Sequence, residues 1–218
     1  LNMAGDLENT ELVMLTPGDF EEVSQLMEHH FLKRNPLCIA AKETTPACYG
    51  ESLDVIMKLT LDSGLSVGAR EKKTKKLVAI LLATKRVDRL RKNDSHKLRK
   101  QQCVVHSVLA MINVDAAKLE SITSYLCLEF VCVHPDYTGR GLARTMIQKV
   151  LNMDRECGVE AVCVQVANAS VDRICSRLGF ETVKSLDLKT IADEFGLDLS
   201  LIPQEETIIK LMIKRWTD

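Results

Sequence analysis

The sequence predicts an α/β protein, a mixed and strongly twisted sheet of about seven strands flanked by helices. Three observations predict it. The run Leu77-Val-Ala-Ile-Leu-Leu82 is apolar throughout, as a central strand covered on both faces must be. From residue 125 to 180 the chain reads strand, glycine-bearing loop, helix, strand, short helix. That order makes the strands starting at Tyr125 and Ala161 parallel neighbours joined by a right-handed crossover. Finally, residues 207–215 alternate Ile209, Leu211 and Ile213 on one face, the pattern of a half-buried strand.

The remaining elements run in order along the chain. Residues 11–15 form a short apolar strand closed by Pro17 and Gly18, and Thr16 or Asp19 can cap the next element. Phe20, Val23, Met27 and Phe31 recur at helical spacing. Pro36 disfavours a helical Asn35 and marks that helix's exit. A second helical stretch runs through 52–57. Two strands, 65–71 and 77–87, flank the charged connection Lys72-Lys-Thr-Lys-Lys76. Val104, Val105, Val108, Leu109 and Ile112 return to helical spacing. Helix 142–157 carries Met146, Ile147, Val150 and Leu151 on one face and stops at Gly158. Strand 161–166, helix 170–177 and a strand entered through Leu178-Gly-Phe180 complete the order.

The 218 residues fit one domain, 1–218, with no repeat or low-complexity linker. Hydrophobic residues make up 46% and charged residues 27%, an ordinary globular balance. Lys plus Arg total 29 against 30 Asp plus Glu, and only 4% of residues are aromatic. A nucleic-acid or membrane-surface binder would be far more basic, so neither partner is expected. No apolar run reaches the roughly 18 residues that span a bilayer. Residues 1–9 carry acids and lack a basic then apolar leader, so a cytoplasmic protein is expected. Oligomeric state is not legible. Residues 85–100 hold eight Lys or Arg against Asp88 and Asp94. They read as a solvated connection, or as a surface that attracts phosphates or an acidic partner.

Eight cysteines (Cys38, Cys48, Cys103, Cys127, Cys132, Cys157, Cys163 and Cys175) include no C-x-x-C pair. Several lie in apolar runs, where cysteine serves as a small core residue. They read as reduced thiols, and no metal is expected.

Chemistry concentrates in Val133-His-Pro-Asp-Tyr-Thr-Gly-Arg-Gly-Leu-Ala143. A strand there enters a loop that opens a helix, whose unpaired N–H groups and positive dipole end can cradle an anion. Gly139 and Gly141 allow close approach of backbone to a pyrophosphate, and Arg140 adds charge. A packing turn is the alternative. The P-loop pattern is absent, and a third glycine for a dinucleotide fingerprint is missing, since Arg144 stands there.

This segment resembles the acetyl-coenzyme A loop of the GNAT N-acetyltransferase superfamily, [QR]-x-x-G-x-[GA]. The pattern falls on Thr138-Gly-Arg-Gly-Leu-Ala143 and matches at Gly141 and Ala143, with Thr138 replacing the first residue. A second superfamily pattern, N-x-x-A-x-x-x-Y-x-x-x-G-F, matches at Asn168, Gly179 and Phe180, while Val171 and Cys175 replace the Ala and Tyr. Phe31-Leu-Lys-Arg-Asn-Pro-Leu37 is similar to the F-F-x-x-E-P-L signature of insect-type arylalkylamine N-acetyltransferases. The resemblance implies a GNAT-like splayed sheet and acetyl-coenzyme A as co-substrate. It also implies transfer of the acetyl group to a small primary amine, arylalkylamine-like or polyamine-like. It carries coenzyme binding onto Val131, Val133, Thr138, Gly139, Arg140, Gly141, Leu142, Ala143 and Asn168. The family's base is the Glu of E-P-L, and Asn35 stands there. Its proton-donating serines fall on Ala167 and Val171, with Ser170 adjacent. These departures keep open a second reading, a coenzyme A-binding GNAT-fold protein with lost or altered catalysis.

Acetyl transfer needs a neutral amine, a polarised thioester carbonyl and a protonated leaving thiolate. Asn35 cannot take a proton. Glu129, in an apolar strand where burial raises a carboxyl pKa, is the first candidate base, unless its strand position faces solvent. His30, with His29 beside it, is the next. Ser170 and Cys175 are candidate acids by position, and Tyr137 reads as packing.

Overall fold

The computed structural model describes residues 9–87, 103–112, 122, 124–154 and 158–216. Seven strands among them form one sheet: β1 (Thr10–Met14), β2 (Val67–Glu71), β3 (Leu77–Val87), β4 (Ser124–Val133), β5 (Ala161–Val166), β6 (Glu181–Asp187) and β7 (Ile208–Arg215). Their order is β1-β2-β3-β4-β5-β7-β6. β1 to β4 pair antiparallel, β4 and β5 pair parallel, and β7 lies antiparallel between β5 and β6. This is the mixed α/β sheet the sequence predicts, with β4 and β5 as parallel neighbours.

Helices cover both faces. α1 (Phe20–Leu26), α2 (Pro36–Ala40), α3 (Glu51–Asp62) and α4 (Val104–Met111) pack on one. α5 (Leu142–Asp154) and α6 (Ala169–Arg177) pack on the other. In α5 the i, i+4 spacing that suggested a helix is what fills the core. Leu142, Met146, Ile147, Val150 and Leu151 are all buried against the sheet. Truncating Met146 or Ile147 to Ala would cost about 2–5 kcal/mol. The expected end at Cys157 lies outside the described residues, and Gly158 beyond it takes the left-handed φ of 63° expected of a stop.

Two expectations change, and a third gains one exception. The helix read from Phe20 does not run unbroken to Asn35. α1 passes into a π turn over Met27–Phe31, where Leu32 N–H donates to Met27 O at 3.0 Å. Pro36 does end it, with Asn35 extended at φ −71°, ψ 123°. The same Pro36 then opens α2, since a missing N–H costs nothing at a helix's first position. β7 is half-buried as expected, with Ile209, Leu211 and Ile213 inside, except that Met212 on its second face is also buried where α6 covers that side. Residues 188–202, for which periodicity suggests no element, wind through short turns and α7 (Ala192–Phe195) and bury Leu188, Ile191, Leu197 and Ile202. Of the basic run 85–100, residues 88–100 lie outside the described residues, as does most of 88–120. No helix among the described residues is long and apolar enough to cross a membrane.

Candidate active site

The site begins where β4 and β5 part. Their pairing runs from Tyr125–Ala161 to Leu128–Val164, while β4 continues with β3 as far as Val133. At the parting point β4 has an extra residue. Leu82 pairs with Phe130 and Ala83 with Leu128, which leaves Glu129 as the bulge. Alternation therefore resets. Tyr125 and Cys127 share a face with Phe130 and Cys132, and Leu126 and Leu128 share the opposite face with Val131 and Val133. Glu129 is the extra residue between the two registers, and its carboxylate contacts Thr84 and Arg86 of β3.

The bulge also leaves an open strand edge. His134 N–H donates to Val78 O at 2.8 Å, so by antiparallel alternation Val131 and Val133 turn their N–H and C=O groups away from β3. Arg34 reaches this edge and donates from Nη2 to Val133 O. Its Nε donates to His30 O at 3.2 Å.

Below the edge lies the glycine loop. Gly139 and Gly141 take φ of 77° and 80°, left-handed values that suit glycine, and a Cβ at either would enter open space. Thr145 N–H donates to Gly141 O at 2.9 Å and is the first amide of α5 with a backbone partner. The amides of Leu142, Ala143 and Arg144 point into the loop, as the start of a helix requires. A cavity of about 670 Å³ joins the loop to the strand gap. Arg144 from α5 and Arg173 and Arg177 from α6 also line it. Such a floor fits the phosphates and extended arm of coenzyme A. Backbone donors and cations lie at one end, and an unpaired strand edge lies at the other.

The far wall comes from the π turn and the residues after it. His30, Phe31, Arg34 and Asn35 all line the cavity. The Phe31 ring meets Phe130 edge-on at 5.2 Å, and His30 meets His134 at 4.4 Å. Burial, followed by the nearby His134 and Arg34, holds the His30 pKa below the usual histidine value. Asn35 caps α2. Its Oδ1 accepts from Leu37 N at 3.0 Å and Cys38 N at 3.2 Å. Glu129 does not sit among apolar groups as its strand suggests. Its Oε1 accepts from Thr84 Oγ1 at 2.8 Å and Arg86 Nη2 at 2.6 Å. Thr84 and Arg86 pair with Cys127 and Tyr125, on the face Glu129 shares with them by alternation. Burial opposes the charge on Arg86, yet the paired carboxylate raises its pKa.

Most residues singled out by sequence therefore meet at one cavity: Glu129, His30, Asn35 and Ser170, with Val131, Val133, Thr138, Gly139, Gly141, Leu142, Ala143 and Asn168. Arg140 does not line it. Its Nη2 donates to Asp136 O at 2.8 Å, and its guanidinium lies over the Tyr137 ring. Asn168 is occupied as a cap, accepting from Ser170 N and Val171 N and donating to Glu206. Ser170 Oγ accepts from Arg173 Nη2 at 3.1 Å. Cys175 is fully buried and away from the cavity, and burial pushes its thiol up to about 12. Burial likewise raises Cys132, a lining residue, to about 11. Tyr137 lines the cavity as well as packing, with Oη donating to Glu71 at 2.8 Å. Sequence reasoning missed Arg34, Arg144, Arg173 and Arg177. Arg173 and Arg177 had a readable signal, an i, i+4 pair on the helix beside the loop. Arg34 had none, because the π turn that aims it leaves no mark on periodicity.

Comparison with known proteins agrees with this geometry. Residues 99–180 match the acetyltransferase (GNAT) family. A sequence search of curated proteins finds no match. Among solved structures, arylalkylamine N-acetyltransferase 2 from Aedes aegypti superposes with a TM-score of 0.82 at 18% identity, covering 95% of this chain and 99% of that one. The polyamine N-acetyltransferase of Drosophila melanogaster superposes at 0.78 with 17% identity, covering 95% and 100%. Identities this low establish the shared fold. The family match spans β4, the glycine loop, α5, β5 and α6, and the likeness in fold extends over nearly the whole chain.

Proposed function

We propose that the protein is an acetyl-coenzyme A-dependent N-acetyltransferase that passes the acetyl group directly to a small primary amine. The observation that carries this reading is the continuity of one cavity. It runs from the unpaired amides of the glycine loop, along the open β4 edge, to the wall built by His30 and Arg34. Acetyl-coenzyme A supplies the activated thioester. The residues of the chain do the rest. Loop amides with Arg144, Arg173 and Arg177 hold phosphates. Val131 and Val133 offer backbone groups to the extended arm and the carbonyl. Thr138, Gly139, Gly141, Leu142 and Ala143 shape the floor, and Asn168 fixes the start of α6.

The incoming amine must lose a proton. Glu129 remains in reach of the cavity, but Arg86 and Thr84 engage it. His30 has no ion-pair partner among the described residues and is neutral at pH 7, so we assign the proton to it. Ser170 accepts from Arg173 and keeps its own proton to offer the leaving thiolate. A thiol-release assay over arylalkylamines, polyamines and amino acids tests the reading. One observation favours the alternative of a coenzyme A-binding protein without turnover: Asn35 holds a helix cap where the resembled family holds its base. Stabilisation by coenzyme A with no thiol released on any amine would establish it.

A further inference from the structure

Charge on the acceptor side of the cavity is distributed in a way that selects among amines. Glu129 is the one acidic side chain among the described residues lining the cavity. It is matched by Arg86, whose Nη2 lies 2.6 Å from Oε1, so it offers no free charge to a second ammonium group. Asn35 brings no charge, and its carbonyl oxygen is committed to the α2 cap.

The cations divide between the two faces of the sheet. Arg144, Arg173 and Arg177 sit on α5 and α6, beside the glycine loop, where they complement phosphates. Arg34 stands apart on the opposite wall, with His30 and Phe31. Its described hydrogen bonds go to the carbonyls of His30 and Val133, and no carboxylate forms an ion pair with it among the described residues. A guanidinium carries five donors and its full charge at any pH in which the protein folds. The acceptor pocket is therefore left with one unmatched positive charge among the described residues. A diamine or polyamine entering it would bring a second cation toward Arg34 with no anion to receive it. An amine that also bears a carboxylate would find in Arg34 a planar, bidentate partner.

We propose that Arg34 makes this pocket an acceptor site for an amino acid, an amine that carries its own carboxylate, and selects against diamines. The inference rests on the acetyltransferase reading above. Arg34 is a specificity-determining residue in it. The carboxylate docks on the guanidinium while the amino group lies between His30 and the open β4 edge.

The test compares matched acceptors with the full-length protein and acetyl-coenzyme A. These are δ-aminovalerate against pentylamine and cadaverine, and tyrosine against tyramine. Coenzyme A affinity is measured separately by calorimetry. The expected result is that the carboxylate-bearing member of a set gives kcat/KM at least about tenfold above cadaverine, the discrimination typical of a site built around one polar group. Arg34→Gln should lower the ratio of amino acid to uncharged-chain amine by about tenfold or more. Arg34→Glu should reverse the order in favour of cadaverine. Because Arg34 also holds Val133 O, each variant is checked for unchanged melting temperature, and Arg34→Lys, which keeps the charge, should retain part of the preference. A wild-type preference for cadaverine, or ratios unmoved in Arg34→Gln and Arg34→Glu, would overturn the inference and leave the acetyltransferase reading standing. Coenzyme A binding with no acceptor acetylated would overturn that reading, and this inference with it.

Discussion

Arg86 Nη2 lies 2.6 Å from Glu129 Oε1, across the β3–β4 pair at the point where β4 bulges. Thr84 and Arg86 pair with Cys127 and Tyr125, on the face that Glu129 shares with Cys127 by alternation, so the β3–β4 register brings the carboxylate to both Arg86 and Thr84. The pair joins two side chains 51% and 21% exposed, so solvent screens it and its worth to stability is small. Its consequence is chemical, because the one acid lining the cavity among the described residues is already occupied.

That pairing sets the first prediction. Glu129→Gln should lower the rate at neutral pH by less than about tenfold, while His30→Gln should lower it by about a hundredfold, the usual worth of a general base. Coenzyme A affinity should move in neither, if backbone groups and the α5 and α6 arginines hold it as proposed. The measurement is kcat on one acceptor at saturating coenzyme. A hundredfold loss in Glu129→Gln with full activity in His30→Gln would return the base to the carboxylate.

The glycine loop sets the second. Gly141→Glu should abolish coenzyme A binding, because it forces a side chain and a negative charge into the space above the amides of Leu142 to Arg144. Arg140→Ala should reduce affinity by less than about threefold, since its guanidinium is engaged by Asp136 O and the Tyr137 ring. Arg173→Ala should cost more, about tenfold, as the loss of one charge-assisted phosphate contact does. Calorimetric titration of coenzyme A into each variant reads all three.

Much of this architecture is legible in the sequence. The strands at Leu77–Val87 and Ala161–Val166 end at the residues their apolar runs suggest, because a buried strand leaves a continuous signal. Gly139 and Gly141 are legible because a left-handed backbone restricts the residue type. Three features are not. The bulge at Glu129 depends on pairing with β3, which no local pattern in β4 records. The π turn at Met27–Phe31 keeps the apolar spacing of an α-helix while rotating the residues after it. Arg34 therefore reads as surface charge, although the turn and Pro36 together aim it at β4. Asn35 draws attention for the proton it cannot take, whereas its position just before a proline at a helix start is also the signature of a cap.

Asn35 sets the third prediction, a separation of folding from catalysis. Asn35→Ala removes the acceptor for Leu37 N and Cys38 N and should destabilise the fold by about 1 kcal/mol. Asn35→Asp caps equally well and places a carboxylate at the cavity, so its melting temperature should match the wild type. If charge in this pocket selects the acceptor, Asn35→Asp should also improve turnover of diamines relative to amino acids. Asn35→Glu, with a longer side chain, loses the cap geometry and should be the less stable of the two acids. Thermal denaturation beside the acceptor assay distinguishes these effects.

The last prediction is a pH profile. His30 faces His134 at 4.4 Å, and Arg34, His29 and Lys33 add positive charge around it. Burial is the largest cause of its lowered pKa, and these neighbours act in the same direction. As a base it must be neutral to work, so kcat should fall as pH drops through its pKa and be level above it. The acid limb should therefore lie below about 6.5, the ordinary histidine value. Removing a neighbouring charge should move the limb in a known direction. His134→Gln and Arg34→Gln each take away a group that disfavours the imidazolium, so each should shift the limb upward, toward the ordinary value. His30→Gln should erase the limb and leave a rate that climbs with pH as free amine accumulates in solution. For stability the sign is the same. The unfolded chain binds the His30 proton more tightly than the folded one, so lowering the pH below about 6.5 should cost wild-type stability that His30→Gln retains. A limb above about 6.5 in the wild type, or one that survives His30→Gln, would place the essential proton on another group.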